Sequence, residues 1–170
     1  MGTVLAYQSS NIQMTKPLFH ITVVDDNPVY LMMIRKYLCS LGFEHIDCIQ
    51  DSTTGIINNC RVPHLIFLDY CMPEADGLQV LKQIKRLYPE VPVVFLSGQT
   101  DMEVAMMAMK CGAYDYIVKN SNEFKRIEEV IYKVFDEAAR GTINGFSTTN
   151  HWYGKPSDKL EAEDTLIFQQ

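Results

Sequence analysis

The chain has 170 residues, 47% of them hydrophobic, with a formal net charge of −6 and a pI near 5.1. That length suits one domain of ordinary size with some surplus. The acidic balance argues against broad contact with nucleic acid or an anionic membrane, since both call for a basic face. No stretch reaches the length needed to span a bilayer, and the first residues lack the apolar core of a signal peptide. Five scattered cysteines, with no C-x-x-C pair and no zinc-like spacing, read as reduced thiols of a cytoplasmic protein.

Residues 1–17 are mixed and polar and read as a flexible N-terminal arm ending at Pro17. Residues 18–24 read as a strand that ends in Asp25-Asp26. Asn27-Pro28 predicts a helix start, an N-cap side chain followed by proline at the first helical position. Tyr30, Met33, Ile34, Tyr37, Leu38 and Leu41 then recur at three- and four-residue spacing, and Gly42 stops the helix. A second strand over 43–49 mixes polar and apolar residues, and a short helix over 52–60 carries Ile56 and Ile57. Residues 64–69 hold an unbroken apolar run, Leu65 to Leu68, that halts at Asp69. A run of that kind suits a strand buried on both faces.

Pro73 and Gly77 mark the next loop, and Leu78, Leu81, Ile84 and Tyr88 the helix after it. Residues 92–96 form another apolar strand, closing on Ser97-Gly98. A methionine-rich helix over 101–111 ends at Gly112, and a strand over 114–118 ends at Lys119. Phe124, Ile127, Ile131, Val134, Phe135 and Ala138 give the last helix, with Gly141 as its stop. Residues 140–170 change character: Gly, Ser, Thr and Asn make them linker-like, with an aromatic patch at His151-Trp152-Tyr153 and room for a short helix over 157–168.

Five strands alternating with five helices predict an α/β fold with a parallel sheet wound on both sides, the flavodoxin-like (βα)5 arrangement, over 18–139. Strands one, three and four are the most uniformly apolar and belong inside. Strands two and five carry more polar positions and belong at the edges, which gives the order 2-1-3-4-5.

In such sheets, ligands bind beyond the carboxyl ends of the strands. A lone aspartate there is more often a turn residue. Here four strand ends bring Asp25 and Asp26, Asp69, Ser97 and Lys119 to one rim. Three neighbouring carboxylates repel by several kcal/mol, roughly, unless a proton or a hard cation joins them. Magnesium suits, taking oxygen ligands and keeping water. Lys119 is a mobile point charge fit for phosphate oxygens, Ser97 offers a hydroxyl, and Gly98 leaves room for an incoming group. The set suits phosphoryl transfer to a carboxylate, with Asp69 as the nucleophile that becomes an acyl phosphate.

Val23-Val24-Asp25-Asp26-Asn27, Phe67-Leu68-Asp69-Tyr70-Cys71-Met72-Pro73, Gly77, Leu96-Ser97-Gly98 and Tyr116-Ile117-Val118-Lys119, in this order, resemble the CheY-like receiver domain of two-component response regulators. The resemblance implies that Asp69 is the phosphoacceptor for a histidine kinase or histidine phosphotransfer protein. It implies a magnesium ion held by Asp26, Asp69 and the backbone carbonyl of Cys71, with Asp25 acting through metal-bound water. Ser97 and Lys119 would contact the phosphoryl group, and Ser97 with Tyr116 would form the switch. A single-domain response regulator is the expected function, with output through a phosphorylation-dependent contact to a downstream protein the sequence does not identify. The resemblance leaves room for a phosphorylation-dependent homodimer. It implies no enzyme activity beyond the chain's own phosphorylation and dephosphorylation.

Asn120 departs from the family, which usually places proline after the lysine, often behind a cis bond. Without proline a cis bond costs about 3 kcal/mol, so a trans bond and a different loop are expected. Met102, Met106, Met107 and Met109 are expected to be shared between core and an adaptable partner surface. His20, His45, His64 and His151 show no ligand spacing and read as packing or surface residues. Two rivals remain. One is a receiver-fold binding module that works without phosphorylation. The other is an aspartyl phosphatase of the dehalogenase type, disfavoured because its acid/base aspartate would stand where Cys71 does.

Overall fold

The structure is a computed structural model and describes residues 15–50, 62–73 and 75–140. Strands β1 (His20–Val24), β3 (Leu65–Asp69) and β4 (Val93–Ser97) are buried at every position, as strands covered on both faces must be. Strands β2 (His45–Ile49) and β5 (Asp115–Val118) are mostly half-buried. All five pair in parallel in the order β2-β1-β3-β4-β5. This is the expected flavodoxin-like order, and the polar strands stand at its edges.

Four α-helices are among the described residues: α1 (Pro28–Ser40), α2 (Gly77–Leu87), α3 (Met102–Lys110) and α4 (Glu123–Ala139). Ile34 and Leu38 of α1 pack with Ile127, Ile131 and Val134 of α4 on one face of the sheet. Leu81 and Ile84 of α2 and Ala108 of α3 pack on the other. No described helix is long and apolar enough to cross a membrane. The helix expected over 52–60 and the tail from 141 lie outside the described residues.

Three expectations change. Lys16–Leu18 is a short 3-10 turn, so β1 starts at His20 rather than at residue 18. Pro17 favours that turn. Lys16 is tied to the folded body, its Nζ donating to the Leu41 carbonyl (2.9 Å) and the Tyr132 hydroxyl (3.0 Å). Residues 15–17 are therefore part of the folded body rather than of an arm, and residues 1–14 lie outside the described residues. Met102, Met106, Met107 and Met109 are all exposed, and α3 meets the sheet through the small side chain of Ala108 instead. A short antiparallel ribbon, Cys71–Met72 with Ala75–Asp76, fills the loop after β3. The bond between Lys119 and Asn120 is trans, as expected, since no cis bond occurs among the described residues. The Asn120 side chain accepts from the Asn122 N–H (2.9 Å), which shapes the turn into α4.

Candidate functional site

Pairing in register brings the chemistry to one level. Val24 lies beside Leu68, Asp69 beside Leu96, and Ser97 beside Val118. Past each of these positions the chain leaves the sheet at the same rim. Asp25 stays tied there, its N–H donating to the Ile49 carbonyl (3.1 Å). The Lys119 N–H donates to the Ser97 carbonyl (2.7 Å). Helix α1 begins directly behind the acidic pair, because Asn27 Oδ1 accepts from the Val29 and Tyr30 N–H groups.

The Lys119 ammonium holds the site together. Its Nζ donates to Asp25 Oδ2 and to Asp69 Oδ1, each at 2.6 Å. Both carboxylates are buried. The other oxygen of Asp25 accepts from the Asn27 N–H (2.9 Å). Burial pushes the Asp69 pKa up, and the charges of Asp25 and Asp26 push the same way; Lys119 offsets only part of this. For Lys119 itself burial works against the charge, yet its bonds to Asp25 and Asp69 win and its pKa rises.

The remaining expected residues stand around this centre. Asp26 is half-buried, and its carbonyl accepts from Gln50 Nε2 (3.2 Å). Ser97 is fully buried, but its Oγ accepts from the Gln99 N–H (3.0 Å) within its own turn. Tyr116 is half-buried, and its hydroxyl donates to the Gln99 carbonyl (3.1 Å). Residues 97, 99 and 116 are thus joined through one short loop. Cys71 is exposed; burial, then Asp69, raises its thiol pKa. A Cβ built on Gly98 would meet nothing within 4 Å, so space lies open beside Ser97.

Sequence reasoning missed two residues. Tyr30 is buried, with its ring centroid 4.2 Å from Lys119 Nζ. Glu123, the first residue of α4, is only 8% exposed. Burial raises its pKa, Lys119 works against the rise, and Asp25 adds to it. Tyr30 gave no signal beyond the helical spacing of a core residue. Glu123 gave none beyond that of an acid at a helix start, where the dipole welcomes it.

Magnesium was the expected cation. The donors suit it, being carboxylate oxygens whose mutual repulsion is felt at Asp69. In the arrangement seen, Lys119 is the counter-ion, and no three acidic, His or Cys residues among those described are grouped to hold a metal.

Known proteins share this arrangement of strands and the sequence around it. The nitrogen assimilation regulatory protein NtrX of Azorhizobium caulinodans is 39% identical over 105 residues, which are 60% of this chain and 23% of that protein. This chain spans less than half the length of the curated relatives it matches. The receiver domain of NtrX from Brucella abortus superposes with a TM-score of 0.62 at 34% identity, covering 68% of this chain and 98% of that one. A CheY-like receiver domain protein of Methanospirillum hungatei shares the fold, with a TM-score of 0.64 at 22% identity, covering 72% of this chain and 98% of that one. The sequence model of the response regulator receiver domain matches residues 21–132, from β1 into α4, and this chain belongs to that family.

Proposed function

We propose that this chain accepts a phosphoryl group on Asp69, with magnesium, and passes the signal on by a protein contact that depends on that phosphate. The observation that carries it is the bridging of Asp69 and Asp25 by Lys119 at 2.6 Å each. An Asp69 oxygen attacks phosphorus, the new O–P bond forms, and the bond from phosphorus to the donor breaks, its electron pair leaving with the donor. The donor is a phosphohistidine of a histidine kinase or histidine phosphotransfer protein, the source from which receiver domains take their signal. Asp26, Asp69 and the Cys71 carbonyl would hold the magnesium, with Asp25 behind them. The ion supplies neutralisation of charge on the transferring group.

Lys119 turns from carboxylate to phosphoryl oxygen, and the Ser97 hydroxyl adds a second donor. Tyr116, joined to Ser97 through Gln99, carries the change toward α3 and β5. Beyond its own phosphorylation and dephosphorylation the chain catalyses nothing. The test treats the protein with a small phosphodonor and magnesium and follows intact mass. Addition of one phosphoryl group is expected, absent in Asp69→Asn and absent after chelation. An unchanged mass in the wild-type protein, or addition that persists in Asp69→Asn, overturns the assignment.

A further inference from the structure

We propose that Tyr30 is a positioning residue for phosphoryl acceptance: its ring face holds the Lys119 ammonium, and its unpartnered hydroxyl is kept for the arrangement in which Lys119 turns to the phosphoryl group. This inference rests on Asp69 being the phosphoryl acceptor. Tyr30 stands in the first turn of α1, where its N–H is fixed by the Asn27 cap (3.2 Å), directly behind the acids at the end of β1. Its ring centroid lies 4.2 Å from Lys119 Nζ. An ammonium has three N–H donors. Two of them go to Asp25 and Asp69. A π face attracts the cation without adding another charged acceptor to those already competing for it. Lys119 therefore stays close to the site while remaining free to exchange a carboxylate oxygen for a phosphoryl one.

The hydroxyl is a separate matter. Tyr30 is 9% exposed, and its buried OH has no hydrogen-bond partner among the described residues. Buried hydroxyls left unpaired are uncommon and destabilise the state that contains them. Phenylalanine would keep the ring over Lys119 without that burden. Burial, then the negative charges of the acceptors Glu123, Asp25 and Asp69, raises the pKa of the phenol, so the hydroxyl keeps its proton. In the arrangement seen, Lys119 occupies oxygens of two of those acceptors. When Lys119 follows a phosphoryl oxygen, the cluster loses a donor at the moment it gains negative charge. The Tyr30 hydroxyl, buried and with no other partner among the described residues, is a donor kept to replace it. The arrangement seen thus bears a cost that the phosphorylated arrangement removes.

The consequence is a pair of effects with opposite sign in one substitution. The experiment compares wild type, Tyr30→Phe and Tyr30→Leu in the full chain. Denaturant unfolding without ligand gives the stability of the resting arrangement. Calorimetric titration with magnesium and beryllofluoride, a phosphoryl analogue, gives the affinity of the other. Tyr30→Phe is expected to be more stable than wild type without ligand, yet to bind the analogue about tenfold more weakly, the worth of a hydrogen bond to a charged group. Tyr30→Leu is expected to lose about a further threefold, because the cation then has no ring to rest on. A residue that merely fills space would move both readings the same way. Equal or tighter analogue binding by Tyr30→Phe, or lower stability of that variant without ligand, overturns the inference while leaving Asp69 as acceptor. Failure of the wild-type protein to bind the analogue overturns the assignment of Asp69 and this inference with it.

Discussion

One ammonium bonded to two buried carboxylates makes the balance at Lys119 asymmetric. Asp25 and Asp69 each lie 2.6 Å from Nζ, with side chains only 1% and 4% exposed. Lys119→Met leaves both acids facing each other without a counter-charge, and is expected to cost about 3 kcal/mol in denaturant unfolding at low magnesium. Asp69→Asn acts in the other direction. The pKa of Asp69 is raised in the folded state, so its favourable contribution is present below the ordinary carboxylate pKa and is lost as pH rises through the raised value. At neutral pH the ionised group is a net burden. With Lys119 still paired to Asp25, the amide is expected to stabilise the protein at neutral pH while ending phosphoryl acceptance, read by unfolding and by mass. Both residues were legible in the sequence because strand-end acids and a strand-end lysine are conspicuous against apolar runs. Tyr30 and Glu123 were not. Their place in the site depends on how α1 and α4 return to the sheet rim, and the spacing within either helix is silent on that.

Gly77 shows what an element boundary requires. Helix α2 starts there, capped by Asp76 through the Leu78 N–H (3.0 Å). A Cβ at Gly77 would stand 2.9 Å from the Tyr70 carbonyl oxygen, 3.0 Å from Tyr70 Cα and 3.1 Å from Phe95 Cε1. Two of those three atoms are backbone, which cannot swing aside as a flexible side chain can. Gly77→Ala is expected to cost about 2 kcal/mol in denaturant unfolding. It is also expected to slow phosphoryl acceptance, because Tyr70 adjoins Asp69 and must move to relieve the contact. Stability equal to wild type would mean that α2 slides freely against β3. Helix limits were legible within a residue or two, since Asn27-Pro28 opens α1, and Gly42 and Gly112 take positive φ just past α1 and α3. The ribbon after β3 was not, because two-residue strands carry no period to read. The exposure of the α3 methionines was not legible either, since the spacing of Met102, Met106 and Met109 equally suits an inward face.

Across the whole sheet the two ends differ in chemistry. The carboxyl ends hold the acids and Lys119, whereas the amino ends hold histidines read from the sequence only as packing or surface residues. His64 precedes β3, and its Nδ1 accepts from the His20 backbone N–H (2.9 Å) while the His64 backbone N–H donates to the His20 carbonyl (2.7 Å). Its ring stacks on Phe19 at 5.1 Å. His20 in turn bonds Asp47 across to β2 through Nε2 (2.7 Å). The strands at the centre of the sheet are therefore joined at this edge through an imidazole nitrogen that must stay bare to accept. Protonation would set a donor against a donor. Burial, then the neighbouring His20, lowers the His64 pKa from 6.5 to about 4. Between those values the unfolded chain binds the proton and the folded one does not, so unfolding is favoured as pH falls. This contribution is complete above 6.5 and is lost progressively as pH drops toward 4. Asp69 works the opposite way over the acid range, because its raised pKa makes the folded state the better proton acceptor. The sheet thus carries opposing acid responses at its two ends, and a single substitution separates them. His64→Asn keeps an acceptor oxygen but cannot titrate. Measured by denaturant unfolding from neutral pH down toward the folded-state pKa, the wild-type protein is expected to lose about 2 kcal/mol more than His64→Asn. Phosphoryl acceptance at neutral pH should be the same in both, since the substitution lies at the far end of β3. A pH slope as steep in His64→Asn as in wild type would place the acid lability on other groups and reduce His64 to a packing residue.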